Sequence, residues 1–105
     1  MKQNKINKKF VYLISPNKIP DINFYNDLAL VLSSKKISFF QLRLKKETNS
    51  NKLVIGKKIK KICNKYKVKF LINDDPLLAK KLNADGCHLG QKDMDLIKAR
   101  KILKN

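Results

Sequence analysis

Three polar clusters in this sequence hold the residue types that grip a charged ligand. In the first, Gln41, Arg43 and Lys45 alternate with Leu42 and Leu44. A period of two puts the amide, the guanidinium and the ammonium on one face of a strand and the leucines on the other. The second, Asn73, Asp74 and Asp75, closes the apolar run that begins at Val68. The third, Gly90, Gln91 and Asp93, begins at the last residue of the segment "DGCHLG" (85–90). Arginine as a planar fork and lysine as a point charge both suit phosphate. The carboxylates of Asp74 and Asp93 are hard oxygen ligands, and Mg²⁺ is usually held by carboxylates together with substrate phosphates. A cationic pair facing a carboxylate pair is what a Mg²⁺-diphosphate needs. Two plainer roles compete: helix capping for Asp74 or Asp75, and a salt bridge to one of them for Arg43.

The elements between the clusters decide whether they can meet. "FVYLIS" (10–15) reads as a buried strand. Pro16 and Pro20 mark a loop, and Asp21 or Asn23 can cap the helix that follows. In that helix Phe24, Leu28 and Val31 recur at i, i+4, i+7, with Leu30 beside them. "ISFFQLRL" (37–44) is a second strand, followed by a polar loop to residue 51. From there to about Tyr66, Leu53, Ile55, Ile59, Ile62 and Cys63 form the apolar stripe of a second, lysine-covered helix. A third strand (68–74) leads to a short helix with Asp75 as cap and Pro76 at its first position, ending near Asn83. A fourth short strand lies within residues 85–90, and Leu96, Ile97, Ile102 and Leu103 mark a fourth helix. This fourfold β-α alternation predicts a parallel sheet covered by helices. It fits either a small doubly wound sheet or half of a (β/α)8 barrel. In both, ligands meet the C-terminal ends of the strands, where the three clusters lie.

Composition excludes several classes. The chain has 105 residues, enough for one domain, and a 43% hydrophobic content that sustains a core. No apolar run approaches the roughly 20 residues of a spanning helix, and the basic start lacks the apolar region of a secretory signal. A cytoplasmic protein without a membrane partner is expected. The formal net charge is +17, but the lysines are spread along the chain and only two of the 25 basic residues are arginine. Readers of base edges lean on arginine, so nucleic acid is the weaker partner. Cys63 and Cys87 make neither a C-x-x-C motif nor a disulfide framework, and read as small packed residues. His88, the single histidine, is expected to face the helix layer and carry no chemistry. The nucleotide signatures G-x-G-x-x-G and G-x-x-x-x-G-K-[ST] are absent.

"QLRLK" (41–45), "LIND" (71–74) and above all "ADGCHLGQKD" (84–93) resemble the thiamine phosphate synthase family, the last matching its A-D-G-x-H-x-G-Q-x-D signature. Spacing and order agree over about residues 10 to 104. The resemblance implies a TIM (β/α)8 barrel of which this chain carries a (βα)4 half. It divides the sequence into a basic tail (1–8) and a half-barrel domain (9–105). It also implies a transferase that joins hydroxymethylpyrimidine diphosphate to thiazole phosphate and releases pyrophosphate, with Mg²⁺ as cofactor. By motif, Gln41 would contact the pyrimidine, Arg43 and Lys45 the diphosphate, Asn73 the same pocket, and Asp74 and Asp93 the metal. Asp75 departs from the family, which commonly has arginine after the Asn-Asp pair. A full barrel needs roughly 200 residues or more, so these 105 residues are expected to lack the later-strand phosphate site. They are also expected to be inactive alone, and to expose two sheet edges that favour a homodimer or a second-half chain. The alternative is a half barrel that binds a phosphorylated ligand, or dimerises, without catalysis. The related thiazole tautomerase shares the barrel but needs no diphosphate grip, so Gln41, Arg43 and Lys45 favour the synthase.

Overall fold

The computed structural model describes residues 11–88. Within them the chain runs β1 (Tyr12–Ile14), α1 (Asn23–Ser33), β2 (Phe39–Leu42), α2 (Asn49–Lys65), β3 (Lys69–Asn73), α3 (Pro76–Leu82) and β4 (Gly86–His88). The expected basic tail, the fourth helix and Asp93 lie outside the described residues.

All three strand pairings are parallel and the order is β1-β2-β3-β4. A doubly wound sheet reverses its strand order at a switch point. Here each strand is added on the same side of its predecessor, which is the winding of a half barrel.

Local chemistry sets the helix boundaries. The Asp75 carboxylate accepts the Leu78 N–H at 3.0 Å, with Pro76 in the first turn, and the helix closes at Asn83 in the left-handed conformation, φ 54°. This is the cap that the sequence predicts. The Thr48 hydroxyl accepts the Asn51 N–H at 3.1 Å and starts α2 two residues earlier than expected. At α1 the Asp21 carboxylate accepts the Asn23 N–H at 2.9 Å, while Ile22 at the boundary makes no side-chain cap.

The core lies between the sheet and the helices. Phe40, Leu42, Phe70 and Ile72 point from the strands onto Leu28, Leu32, Ile59, Cys63, Ala79 and Leu82. Gly56 of α2 lets α3 approach, because a Cβ there would overlap the Leu82 side chain. At the N-terminal ends of β3 and β4, Asp85 and Phe70 bond reciprocally. The Asp85 N–H donates to the Phe70 carbonyl at 2.8 Å, and the Phe70 N–H donates to the Asp85 carboxylate at 2.7 Å.

Two expectations of burial fail. Strand β1 is not buried: Tyr12 is 57% and Ile14 53% exposed, and only Leu13 packs on the core. Both exposed residues lie on the sheet face away from the helices, at an edge strand, so nothing among the described residues covers them. In α1 the buried positions are Leu28 and Leu32, while Leu30 is 73% exposed and Val31 half-exposed. The helix is rotated from the expected stripe because Leu32, not Val31, follows Leu28 by one turn.

Candidate functional site

Opposite the helices the sheet presents a second set of side chains in register. Ile14 lies beside Gln41, Gln41 beside Leu71, and Asn73 beside His88. Below them the rings of Tyr12 and Phe39 stack with centroids 4.6 Å apart. Tyr12, Ile14, Gln41, Arg43, Asn73, Asp74 and His88 line an open cavity of about 610 Å³ at this face.

The polar residues of the first two clusters meet there. The Gln41 amide donates to Asn73 Oδ1 at 2.8 Å. The Asn73 amide donates to Asp74 Oδ2 at 3.0 Å. Lys45 Nζ reaches the same oxygen at 3.2 Å. A chain of hydrogen bonds thus crosses from β2 to the end of β3 and finishes on a carboxylate. Gln41 is 6% exposed, so its amide needs the partner that Asn73 supplies. Asn and Gln amide orientations follow from such networks, and here donor and acceptor alternate without conflict.

Asp74 sits at φ 59°, a left-handed backbone that asparagine and aspartate tolerate better than most side chains. Its N–H donates to the His88 carbonyl at 2.6 Å, which ties the turn to β4. Of the two competing plain roles, capping belongs to Asp75, and Asp74 stays at the mouth of the sheet beside Lys45. Strand β2 ends at Leu42, so Arg43 and Lys45 project from the loop that continues it. Both are exposed, and Arg43 keeps the face of Gln41 that the period of two assigns to it.

His88 departs from expectation. It is exposed on the cavity face rather than turned to the helices, because its pairing with Asn73 fixes its side of the sheet. Ser15, which the sequence did not single out, is buried behind Arg43. Cys63 and Cys87 are free thiols on the helix side. Burial pushes the Cys63 thiol up to about 12, with the nearby Asp85 carboxylate adding to the shift. Burial also raises Cys87, and the charges of Asp75 and Asp74 act in the same direction against a backbone hydrogen bond at Asp75 that lowers it. Neither is poised as a nucleophile.

Among the described residues no three His, Cys, Asp or Glu side chains gather as a metal-binding group. No described helix is long and apolar enough to cross a membrane. Asp74 offers one carboxylate at the mouth, a donor set that suits Mg²⁺ when a ligand's phosphates complete it.

Comparison with known proteins bears on the family and the fold. Residues 11–105 match the family model described as thiamine monophosphate synthase. Thiamine-phosphate synthase of Pelagibacter ubique is 96% identical over 105 residues, covering 100% of this chain and 51% of that protein. The enzyme of the same name from Campylobacter jejuni is 37% identical over 102 residues, or 96% of this chain and 48% of that one. The solved thiamine phosphate pyrophosphorylase from Pyrococcus furiosus superposes with a TM-score of 0.80 at 25% identity, covering 97% of this chain and 49% of its own. The chain therefore spans about half the length of the relatives that it matches. On the strength of a match that runs from the first strand to residue 105, the chain belongs to the thiamine monophosphate synthase family.

Proposed function

We propose that the protein is a transferase of thiamine biosynthesis, joining hydroxymethylpyrimidine diphosphate to thiazole phosphate with release of pyrophosphate. The observation that carries this reading is the convergence of Gln41, Arg43, Asn73 and Asp74 on one cavity, with Lys45 paired to Asp74 at its rim. The amides of Gln41 and Asn73 would hold the pyrimidine, whose ring nitrogens and amino group need both donors and acceptors. Arg43 and Lys45 would hold the diphosphate. Its approach would draw Lys45 from Asp74 and leave that carboxylate, together with Asp93, for Mg²⁺. When bound, Mg²⁺ would neutralise charge on the departing diphosphate. In the bond-breaking step the methylene–oxygen bond opens and its electron pair leaves with the pyrophosphate, giving a pyrimidine methylene cation. Arg43 and Lys45 stabilise the charge that develops on the leaving group.

Among the described residues β1 and β4 are the edge strands of the sheet, and in a closed barrel both edges would be paired and the exposed Tyr12 and Ile14 would face the interior. Four further β/α units, or a second copy of the chain, would supply the covering strands and the site for thiazole phosphate. These 105 residues alone are therefore expected to bind the pyrimidine diphosphate and to turn over little. The substrates are soluble phosphates, and the cytoplasm is the proposed location.

Titration of the purified chain with hydroxymethylpyrimidine diphosphate and Mg²⁺ tests the reading. Saturable binding that Arg43→Ala abolishes supports it, and equal affinity of the two proteins refutes the role of Arg43. Sizing chromatography reports whether copies pair, and robust turnover by a monomer supplied with both substrates would sink the inactivity of the half. Binding of DNA with a steep salt dependence would favour the polyanion reading instead.

A further inference from the structure

Ser15 holds Arg43 in place. In a regular parallel ladder between β1 and β2, the Ser15 N–H would go to the Gln41 carbonyl and the Arg43 N–H to the Ser15 carbonyl. The first bond is present at 3.0 Å. The second is replaced: the Arg43 N–H donates to the Ser15 hydroxyl at 2.8 Å. That hydroxyl in turn donates a hydrogen bond to the Pro16 carbonyl at 3.1 Å. Ser15 is 5% exposed, so its hydroxyl sits behind the cavity wall rather than in it. Strand β1 itself ends at Ile14, just before this point. The hydroxyl is therefore a side-chain clamp at the point where β2 stops and its backbone would be free to turn. Two residues before the clamp is Gln41, bonded to Asn73, and at the clamp is Arg43.

We propose that Ser15 is a positioning residue for anion binding: its hydroxyl fixes the Arg43 backbone so that the guanidinium faces the cavity. This rests on the diphosphate reading above. A hydrogen bond from a fixed backbone costs the ligand no ordering at Arg43, and its loss returns that cost to the binding step. The residue touches no substrate and acts through Arg43 alone.

The test compares the wild-type chain with Ser15→Ala, Ser15→Cys and Ser15→Thr. Affinity for hydroxymethylpyrimidine diphosphate with Mg²⁺ is measured by calorimetry, and hydrogen exchange is followed at the Arg43 amide. Ser15→Ala is expected to speed exchange at Arg43 and to weaken binding about tenfold, the scale of one lost hydrogen bond. Ser15→Thr keeps the acceptor and should restore both readouts. Ser15→Cys keeps the volume but accepts weakly, so it should behave like Ser15→Ala and decides the matter if that variant does not fold. Wild-type binding that Ser15→Ala and Ser15→Cys leave unchanged overturns the positioning role and spares the diphosphate reading. Failure of Ser15→Thr to restore affinity also overturns it. A wild-type chain that does not bind the diphosphate overturns both.

Discussion

On the helix side of the sheet, Phe40, Leu42, Phe70 and Ile72 are sealed beneath α1, α2 and α3, whereas on the other side Tyr12, Ile14, Arg43 and His88 stand open. Strands β2 and β3 serve both faces by simple alternation, with Gln41 and Asn73 on the open side of the strands that bury Phe40, Leu42, Phe70 and Ile72. One face is filled to exclude water, and its residues are nearly all carbon. The other carries an aromatic pair, a run of amides and a carboxylate around a cavity of about 610 Å³. The stability of the half barrel rests on the first face and the proposed ligand binding on the second. Substitutions on the two faces should therefore be separable by whether they change unfolding or binding.

Phe70→Ala should have the largest effect on stability. Phe70 is fully buried, and the cavity left should cost about 3–5 kcal/mol, read as a drop in Tm or urea midpoint. A small cost would mean that the helix layer collapses onto the gap, which would blur the contrast. Asn73→Ala, on the open face, leaves the buried Gln41 amide without its partner. It should cost about 1–3 kcal/mol and remove diphosphate binding, so the ratio of the two effects measures how far the amide chain serves each purpose. Asp75→Ala lies off both faces. Loss of the α3 cap should cost about 1 kcal/mol with affinity unchanged, and a fall in affinity would show that Asp75 has taken on a binding role beyond its cap.

The remaining test concerns pH. The folded-state pKa of Cys63, about 12, is raised above the ordinary thiol value of 9.0. Its contribution to stability is thus fully present below pH 9 and is lost as the pH rises toward 12, because the unfolded thiol ionises first. Urea unfolding of the wild type and of Cys63→Ala across that range should show the steeper alkaline decline in the wild type. Parallel curves would show that the core admits the thiolate.

How much of this was readable in advance depends on how far each feature reaches along the chain. The cap at Asp75, the proline after it and the left-handed Asn83 are local, and the sequence around residue 75 contains everything that decides them. The alternation of Gln41 and Arg43 onto one face is equally local. The exposure of Tyr12 and Ile14 was not legible, because an apolar residue on a strand does not declare which surface will cover it. His88 was missed for a related reason: in a three-residue strand only the register with β3 settles the side. Ser15 gave a weak signal, a lone hydroxyl between an apolar run and a proline, and its role appears only when residue 43 is brought beside it. In α1 the expected stripe of Phe24, Leu28 and Val31, with Leu30 beside it, failed at Val31 and Leu30 because residues 28–32 are all apolar, and the sheet chose among them.

The backbone at Asp74 narrows what can ever replace it. A φ of 59° strains most side chains and β-branched ones above all, while glycine, asparagine and aspartate accept it. Two filters therefore act on one position, one on shape and one on charge. Asp74→Asn passes the first and fails the second, and Asp74→Gly keeps the turn but removes the side chain altogether. Those two are the least strained replacements at this site, so the easiest step away from the carboxylate leaves the turn standing and the electrostatics gone.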